Sequence, residues 1–364
     1  MKTANCILIL AATIIALAPL TACSSVGPAT VTRDRVDYGN SIGDSWKEQT
    51  LLNIVRLRYG DVPTFLEVTQ VVAGYQLQGT IGGSFSAGNA SGSTVGPFAA
   101  QGSALASGTY TDRPTIIYAP LTGVDFIKHL MTPVPPSDVL FLLQAGYSAA
   151  LVMPVILDSI NGLKNASLRL NRPADPKFQR VVEIVYQAQL AGAIQIRIER
   201  GKEGGETSLI AFGTRGNAET DAQAREIRQL LGLKPDVQEL KVFYGGYSGK
   251  NDEIDMQTRS MLQILLEFAA AVRVPEADVA ERRASAGMTD AAAADSIGPS
   301  LNIGVSDAAP KDAYVAIHYG RRWFWIPDTD IRSKNVFAAL MLLFSISETG
   351  VKGSAPVVTV PASP

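Results

Sequence analysis

The sequence predicts an α+β fold: small mixed sheets with packed helices, plus a long uncharged Gly-rich β-hairpin. Three observations carry that expectation. Apolar residues recur at helical spacing in some segments and at a period of two in others, with the two kinds intermixed along the chain. Residues 176–250 run in the order helix, strand, strand, helix, strand, which suits a small sheet with helices on one face. Between Glu67 and Asp112 lie 44 consecutive residues without an Asp, Glu, Lys, Arg or His. At the chain's charged fraction of 18%, about eight charges are expected in a window of that length.

The N-terminus comes first in chain order. Lys2 supplies a positive charge, Ile7 to Leu20 is apolar, and Leu20-Thr21-Ala22-Cys23 follows. The apolar run is shorter than the roughly 20 residues a membrane-spanning helix needs, and Pro19 sits at its end. Small residues directly before a cysteine resemble the lipobox of a bacterial lipoprotein signal peptide. The resemblance implies that residues 1–22 are removed and that Cys23 is lipidated, so the membrane is a partner through Cys23. Several acyl chains on one residue anchor stably, at about 0.8 kcal/mol per buried methylene. In Gram-negative lipoproteins the residue after the cysteine influences sorting. Ser24 resembles the pattern of those retained at the outer membrane, so a Gram-negative host implies a lipid anchor in its periplasmic leaflet.

Composition narrows the chemistry. Once Cys6 leaves with the signal, no thiol pair remains for a disulfide or a thiolate metal site, and His129 and His318 are the only histidines. No metal site and no cofactor is expected. The formal charge of −2 offers no basic excess for nucleic acid.

Residues 23–40 are small or polar around Pro28 and read as a tether. The N-terminal helical region spans 41–172. It begins with a helix over about Asp44 to Arg58, with Leu51, Ile54, Val55 and Leu57 as its stripe, Asp44 or Ser45 as its cap, and Gly60 and Pro63 as its stop. Inside this region lies the uncharged hairpin, 73–111. Tyr75, Leu77, Gly79, Ile81, Gly83, Phe85 and Ala87 alternate with small or polar residues, and a weaker alternation runs from Phe98 to Tyr110 with Leu105 out of phase. Two such strands suit one hairpin of a membrane β-barrel: Tyr75, Leu77, Ile81, Phe85, Phe98 and Tyr110 would face lipid, and Gln76, Gln78, Thr80, Ser84, Gln101 and Ser103 a pore. One hairpin cannot close a barrel, because an open edge in lipid is prohibitively costly. Several copies would each donate one, an architecture similar to the lipoprotein channel that exports curli subunits, although no sequence motif of that family is present. A Gly/Ser loop, or a hairpin packed on the body or on a partner, is the other reading.

Further on, the pattern predicts a strand at Thr115 to Tyr118, helices at Val124 to Met131 and Ser137 to Ala145, and a buried helix at Ala149 to Ile160 ended by Asn161-Gly162. An α+β module occupies 173–282. It holds helix Lys177 to Leu190, strands Ala193 to Ile198 and Ser208 to Phe212, helix Ala218 to Leu231, strand Glu239 to Tyr244, and a long helix from Asp255 to Val272. Residues 283–300 read as an Ala-rich linker. Residues 301–350 hold strands Tyr314 to His318 and Trp323 to Ile326 and a helix from Ser333 to Ser347, and 351–364 form a tail.

Motifs of catalysis are incomplete. Gly43-Asp44-Ser45 resembles the nucleophile block of the GDS-type lipases, but the preceding residues are polar and neither histidine has an Asp three residues before it. Gly249-Lys250 lacks the first Gly and the Ser or Thr of a phosphate loop. Asp252 with Glu253, and Asp328 with Asp330, fit helix caps better than acid–base pairs. Tyr319, Arg321, Trp323 and Trp325 could form an aromatic ligand platform, although a hairpin covering a helix buries aromatics for ordinary reasons. The sequence therefore leads to a non-enzymatic outer-membrane lipoprotein that assembles with itself or with envelope proteins. The alternatives are a monomeric lipoprotein that binds a glycan, peptide or lipid, and a hydrolase of scattered residues.

Overall fold

The computed structural model describes residues 26–72, 74–87, 100–200, 206–213, 218–284 and 301–347. The helices are α1 (Val26–Arg58), α2 (Val124–Met131), α3 (Pro136–Gln144), α4 (Ala149–Ile156), α5 (Pro176–Leu190), α6 (Ala218–Leu230), α7 (Met261–Ala271), α8 (Glu276–Ala280) and α9 (Ile331–Ser347). The strands are β1 (Leu66–Val72), β2 (Tyr75–Ala87), β3 (Ala100–Asp112), β4 (Thr115–Pro120), β5 (Leu157–Ile160), β6 (Leu163–Lys164), β7 (Ile194–Arg200), β8 (Glu206–Phe212), β9 (Glu239–Tyr244), β10 (Glu253–Thr258), β11 (Gly304–Ser306), β12 (Ala313–Tyr319) and β13 (Arg322–Pro327). The fold class is α+β. Among the described residues no helix is long and apolar enough to cross a membrane. The chain divides into two units, Met1–Gly43 with Leu66–Pro120, and Asp44–Phe65 with Leu121–Pro364.

The second unit is built on a six-stranded sheet in the order β6-β5-β10-β9-β8-β7, in which only β9 and β10 run parallel. Its core joins Leu51, Ile54 and Val55 of α1, each fully buried, to Phe178 of α5, Ile210 of β8, Phe268 of α7 and Phe337 of α9. A second sheet, β11-β13-β12, turns Val315, Ile317, Phe324 and Ile326 to the same core. The 172/173 boundary thus divides a single sheet, since β5 and β6 lie before it and the other four strands after.

Three expectations are corrected. Residues 26–40, expected as part of the tether at 23–40, are helical and run on through 41–43 into the buried part of α1, so neither Asp44 nor Ser45 is a cap. The helix carries no apolar stripe there. Most side chains of residues 31–43 stay in water; extending a helix from its packed turns at Thr50 onward costs less than starting one afresh.

The second correction concerns 149–160, where the helix stops at Ile156 and the chain enters the sheet as β5. A helix end leaves carbonyls without partners, and here other parts of the chain supply the donors. The Arg259 guanidinium donates to the carbonyls of Pro154 at 3.0 Å, Val155 at 3.2 Å and Ala166 at 2.5 Å, and its backbone N–H donates to Ile156 O at 2.7 Å. Asn165 Nδ2 donates to Pro154 O and Leu157 O. The third correction follows from the same junction. Residues 255–258, expected as the start of the helix Asp255 to Val272, belong instead to β10, which pairs between β5 and β9, and α7 begins only at Met261. Ser260 and Gln263 cap α7 reciprocally, so Asp252 and Glu253 do not. Asp330 does cap α9, accepting from Ser333 N at 3.0 Å and Ser333 Oγ at 2.8 Å.

Asp158 flanks this junction, paired with Arg172 at 2.5 Å and Lys164 at 3.5 Å. Burial alone would raise its carboxyl. The hydrogen bond and charge of Arg172, with the charges of Arg259 and Lys164, outweigh burial and hold it below the usual carboxylate range. A depressed folded pKa contributes stability above the unfolded value near 3.9, lost as pH falls through the folded value. Asp158→Asn is therefore expected to lower the urea midpoint at pH 7, by a margin that shrinks at a second, acidic pH where the parent's carboxylate protonates. A constant difference at both pH values would refute the assignment.

Candidate functional site: an uncharged two-stranded ribbon

β2 and β3 pair antiparallel through thirteen consecutive residue pairs, Tyr75 with Asp112 through Ala87 with Ala100, without a register shift. β1 and β4 prolong the ribbon in the same register from Gln70–Ile117 to Val72–Thr115, and Arg113 N donates to Gly74 O at 2.9 Å across the join. The pairing shifts by one residue between Val68 and Gln70. The thirteen residues of β2 alone extend about 43 Å at about 3.3 Å per residue. Among the described residues no third strand joins either pair, so both edges of the ribbon are open.

The register decides what alternation alone left open. Positions 75, 77, 79, 81, 83, 85 and 87 lie opposite 112, 110, 108, 106, 104, 102 and 100. Cross-strand partners share a face, so one row of the ribbon reads Tyr, Leu, Gly, Ile, Gly, Phe, Ala against Asp, Tyr, Gly, Ala, Ala, Gly, Ala. The other row pairs Gln76 with Thr111, Gln78 with Thr109, Thr80 with Ser107, Ser84 with Ser103 and Ser86 with Gln101. Leu105, opposite Gly82, is the apolar exception in that row. Gln78, Thr80, Ser107 and Thr109 are exposed. Tyr75, Leu77, Ile81, Phe85 and Tyr110 thus belong to one row. Phe98 lies outside the described residues, as does Cys23. The second strand runs over 100–112, two residues later than its alternation predicts. β1 is not evident from sequence, because Leu66–Val72 has no clear period of two and is a strand through its partner β4.

At the base of the ribbon Leu66, Ile116, Ile117 and Tyr118 are exposed apolar residues. A two-stranded ribbon with apolar residues and free backbone edges is marginal in water, where three or more strands or a packed face are the usual requirement.

The aromatic platform does not form as one surface. Tyr319 lies on the core side of its sheet, where its hydroxyl donates to Asp61 and its ring stands 5.2 Å from that of Tyr59. Burial, then the hydrogen bond to Asp61, pushes the Tyr319 hydroxyl up to about 12. Trp323 and Trp325 occupy the opposite face of β13, with Trp323 5.3 Å from the His318 ring. Arg321 is exposed in the turn. Trp325 packs against Gly304, where an added Cβ would come within 2.8 Å of the indole, and its Nε1 is buried without a partner among the described residues.

Ser45 is an exposed residue inside α1, and His129 and His318 are exposed on separate elements. Among the described residues no group of His, Cys, Asp and Glu is arranged to hold a metal. The chain matches no protein-family model, and no curated protein or solved structure is similar to it.

Proposed function

We propose that this protein is a non-enzymatic lipoprotein anchored through Cys23 to the outer membrane of a Gram-negative envelope. It works as a homo-oligomer in which each copy lends its β1–β4 ribbon to a shared barrel. The observation that carries this reading is the thirteen-pair register, which brings the apolar positions of both strands into one row, with Asp112 only at its end, and the amides and hydroxyls into the other, with Leu105 as the exception. Lipid favours an apolar outer row, and a water-filled lumen accepts a polar inner one. Thirteen residues tilted by about 40° rise roughly 33 Å, enough for an apolar band of about 25 Å. Open edges are tolerated in lipid only when each strand finds a neighbour. A barrel of at least about eight strands requires four or more copies at two strands each.

The test compares the mass and shape in detergent of the lipidated protein with a form lacking residues 75–110. Rings of four or more copies that vanish with the deletion are expected. A monomer in both forms would retire the pore and favour the ligand-binding lipoprotein.

A further inference from the structure

A second site lies in the body and does not depend on the membrane reading. β7 is the last strand of the six-stranded sheet, and among the described residues no strand lies beyond it. Gly213 N donates to Ala193 O at 3.1 Å, so the hydrogen-bonded pairs that follow along the register with β8 are Gln195–Ala211, Arg197–Leu209 and Glu199–Thr207. Ile194, Ile196 and Ile198 therefore point their backbone N–H and C=O groups away from β8, toward the open edge. Such an edge is a template for a further strand. The opposite edge, β6, is only two residues long and offers no comparable template.

The side chains of the same three isoleucines are half-buried on the core side of the sheet, where Ile194 stands opposite Phe212 and Ile196 opposite Ile210. Beside them runs a groove of about 990 Å³, walled by Ile194 and Ile196, by Val185, Tyr186 and Leu190 of α5, and by Leu143 of α3. Leu190 is 65% exposed there. Gln189, at the groove's floor, is already engaged: its amide donates to Leu143 O and Tyr147 O and accepts from Ala149 N. Arg197 and Glu239 are the charged residues along it, and they pair with each other at 2.7 Å. A ligand here needs extended backbone for the edge, apolar side chains at alternate positions for the groove, and no charge.

One segment of this chain, outside the described residues, fits. Residues 353–364 carry no charged side chain, and Val357-Val358-Thr359-Val360 is a β-branched run between Pro356 and Pro361. We propose that the chain's own tail adds to β7 as a seventh strand, with Val358, Val360 and Ala362 paired antiparallel to the three isoleucines. Their side chains then enter the groove, and Pro361, which lacks an N–H, points its nitrogen away from β7, where an edge strand tolerates it. A shift by one residue would turn the Pro361 nitrogen to β7, losing a ladder bond, and would put Thr359 in the groove. The covalent link supplies the effective concentration that so short a strand needs. Hydrogen exchange on the full chain in detergent, read residue by residue, tests it. The amides of Ile194, Ile196 and Ile198 are expected to exchange about tenfold or more slowly than in a form lacking residues 353–364. Val360→Pro removes the central donor and is expected to reproduce the deletion, whereas Thr359→Pro, with its nitrogen turned outward, is expected to keep the protection. Equal rates in the full and shortened chains, or the same result from both proline variants, overturns the added strand.

Discussion

Lys in place of Ile81 is expected to abolish pore formation, and Lys in place of the adjacent Thr80 to preserve it. Ile81 is the seventh of the thirteen pairs, opposite Ala106, so a spanning ribbon would put it near the bilayer midplane. A Lys facing lipid at that depth costs about 2–4 kcal/mol per copy, and a ring of four or more copies multiplies the cost to more than assembly can offset. Thr80 pairs with Ser107 in the other row. There a Lys would meet water in the lumen and, as a ring of cations, shift the pore toward anions. Conductance across a planar bilayer, with the reversal potential under a salt gradient, reads both effects. Equal tolerance at the two positions would refute the barrel, and equal loss would point to a ribbon buried on both rows against a partner.

Arg259→Ala is expected to have the largest effect on the body, a loss of about 3–5 kcal/mol in urea unfolding at neutral pH. The side chain donates to three carbonyls around the point where α4 becomes β5; without it Val155 O and Ala166 O lose this donor, and Pro154 O keeps only Asn165. Arg259→Lys is expected to recover little of the loss, because one ammonium cannot reproduce a planar fork that donates in two directions. A loss below about 1 kcal/mol for Arg259→Ala would mean that water or a shifted Asn165 replaces the guanidinium.

These two predictions rest on features of very different legibility. The ribbon is local in sequence: its strands are joined by one short segment, and pairing across a hairpin needs only the alternation that each strand displays. Its first strand was therefore predicted to the residue, and its second within two. Other elements depend on partners far along the chain. Nothing in Leu157–Ile160 or Glu253–Thr258 distinguishes a strand from a continuing helix until Met256 lies opposite Ile160 and Ile254 opposite Val242. The Ser260–Gln263 capping box was a signal within reach that marked the true start of α7. The platform failed for a related reason: Tyr319, Trp323 and Trp325 are close in sequence, but strand parity sends the tyrosine to the core and the tryptophans to the other face.

By itself the sequence determined the fold class, the uncharged ribbon and most helices, because periodicity is set by neighbours three or four residues away, or two. It also carries the lipobox-like ending at Cys23 on which the anchoring proposal depends. Only the tertiary structure decided which rows of the ribbon face together, where α4 and α7 give way to strands, and that β7 is the last strand of its sheet among the described residues. Those outcomes turn on backbone groups and charges satisfied across about a hundred residues of chain, as Arg259 does for Pro154, and no local pattern encodes a partner at that distance.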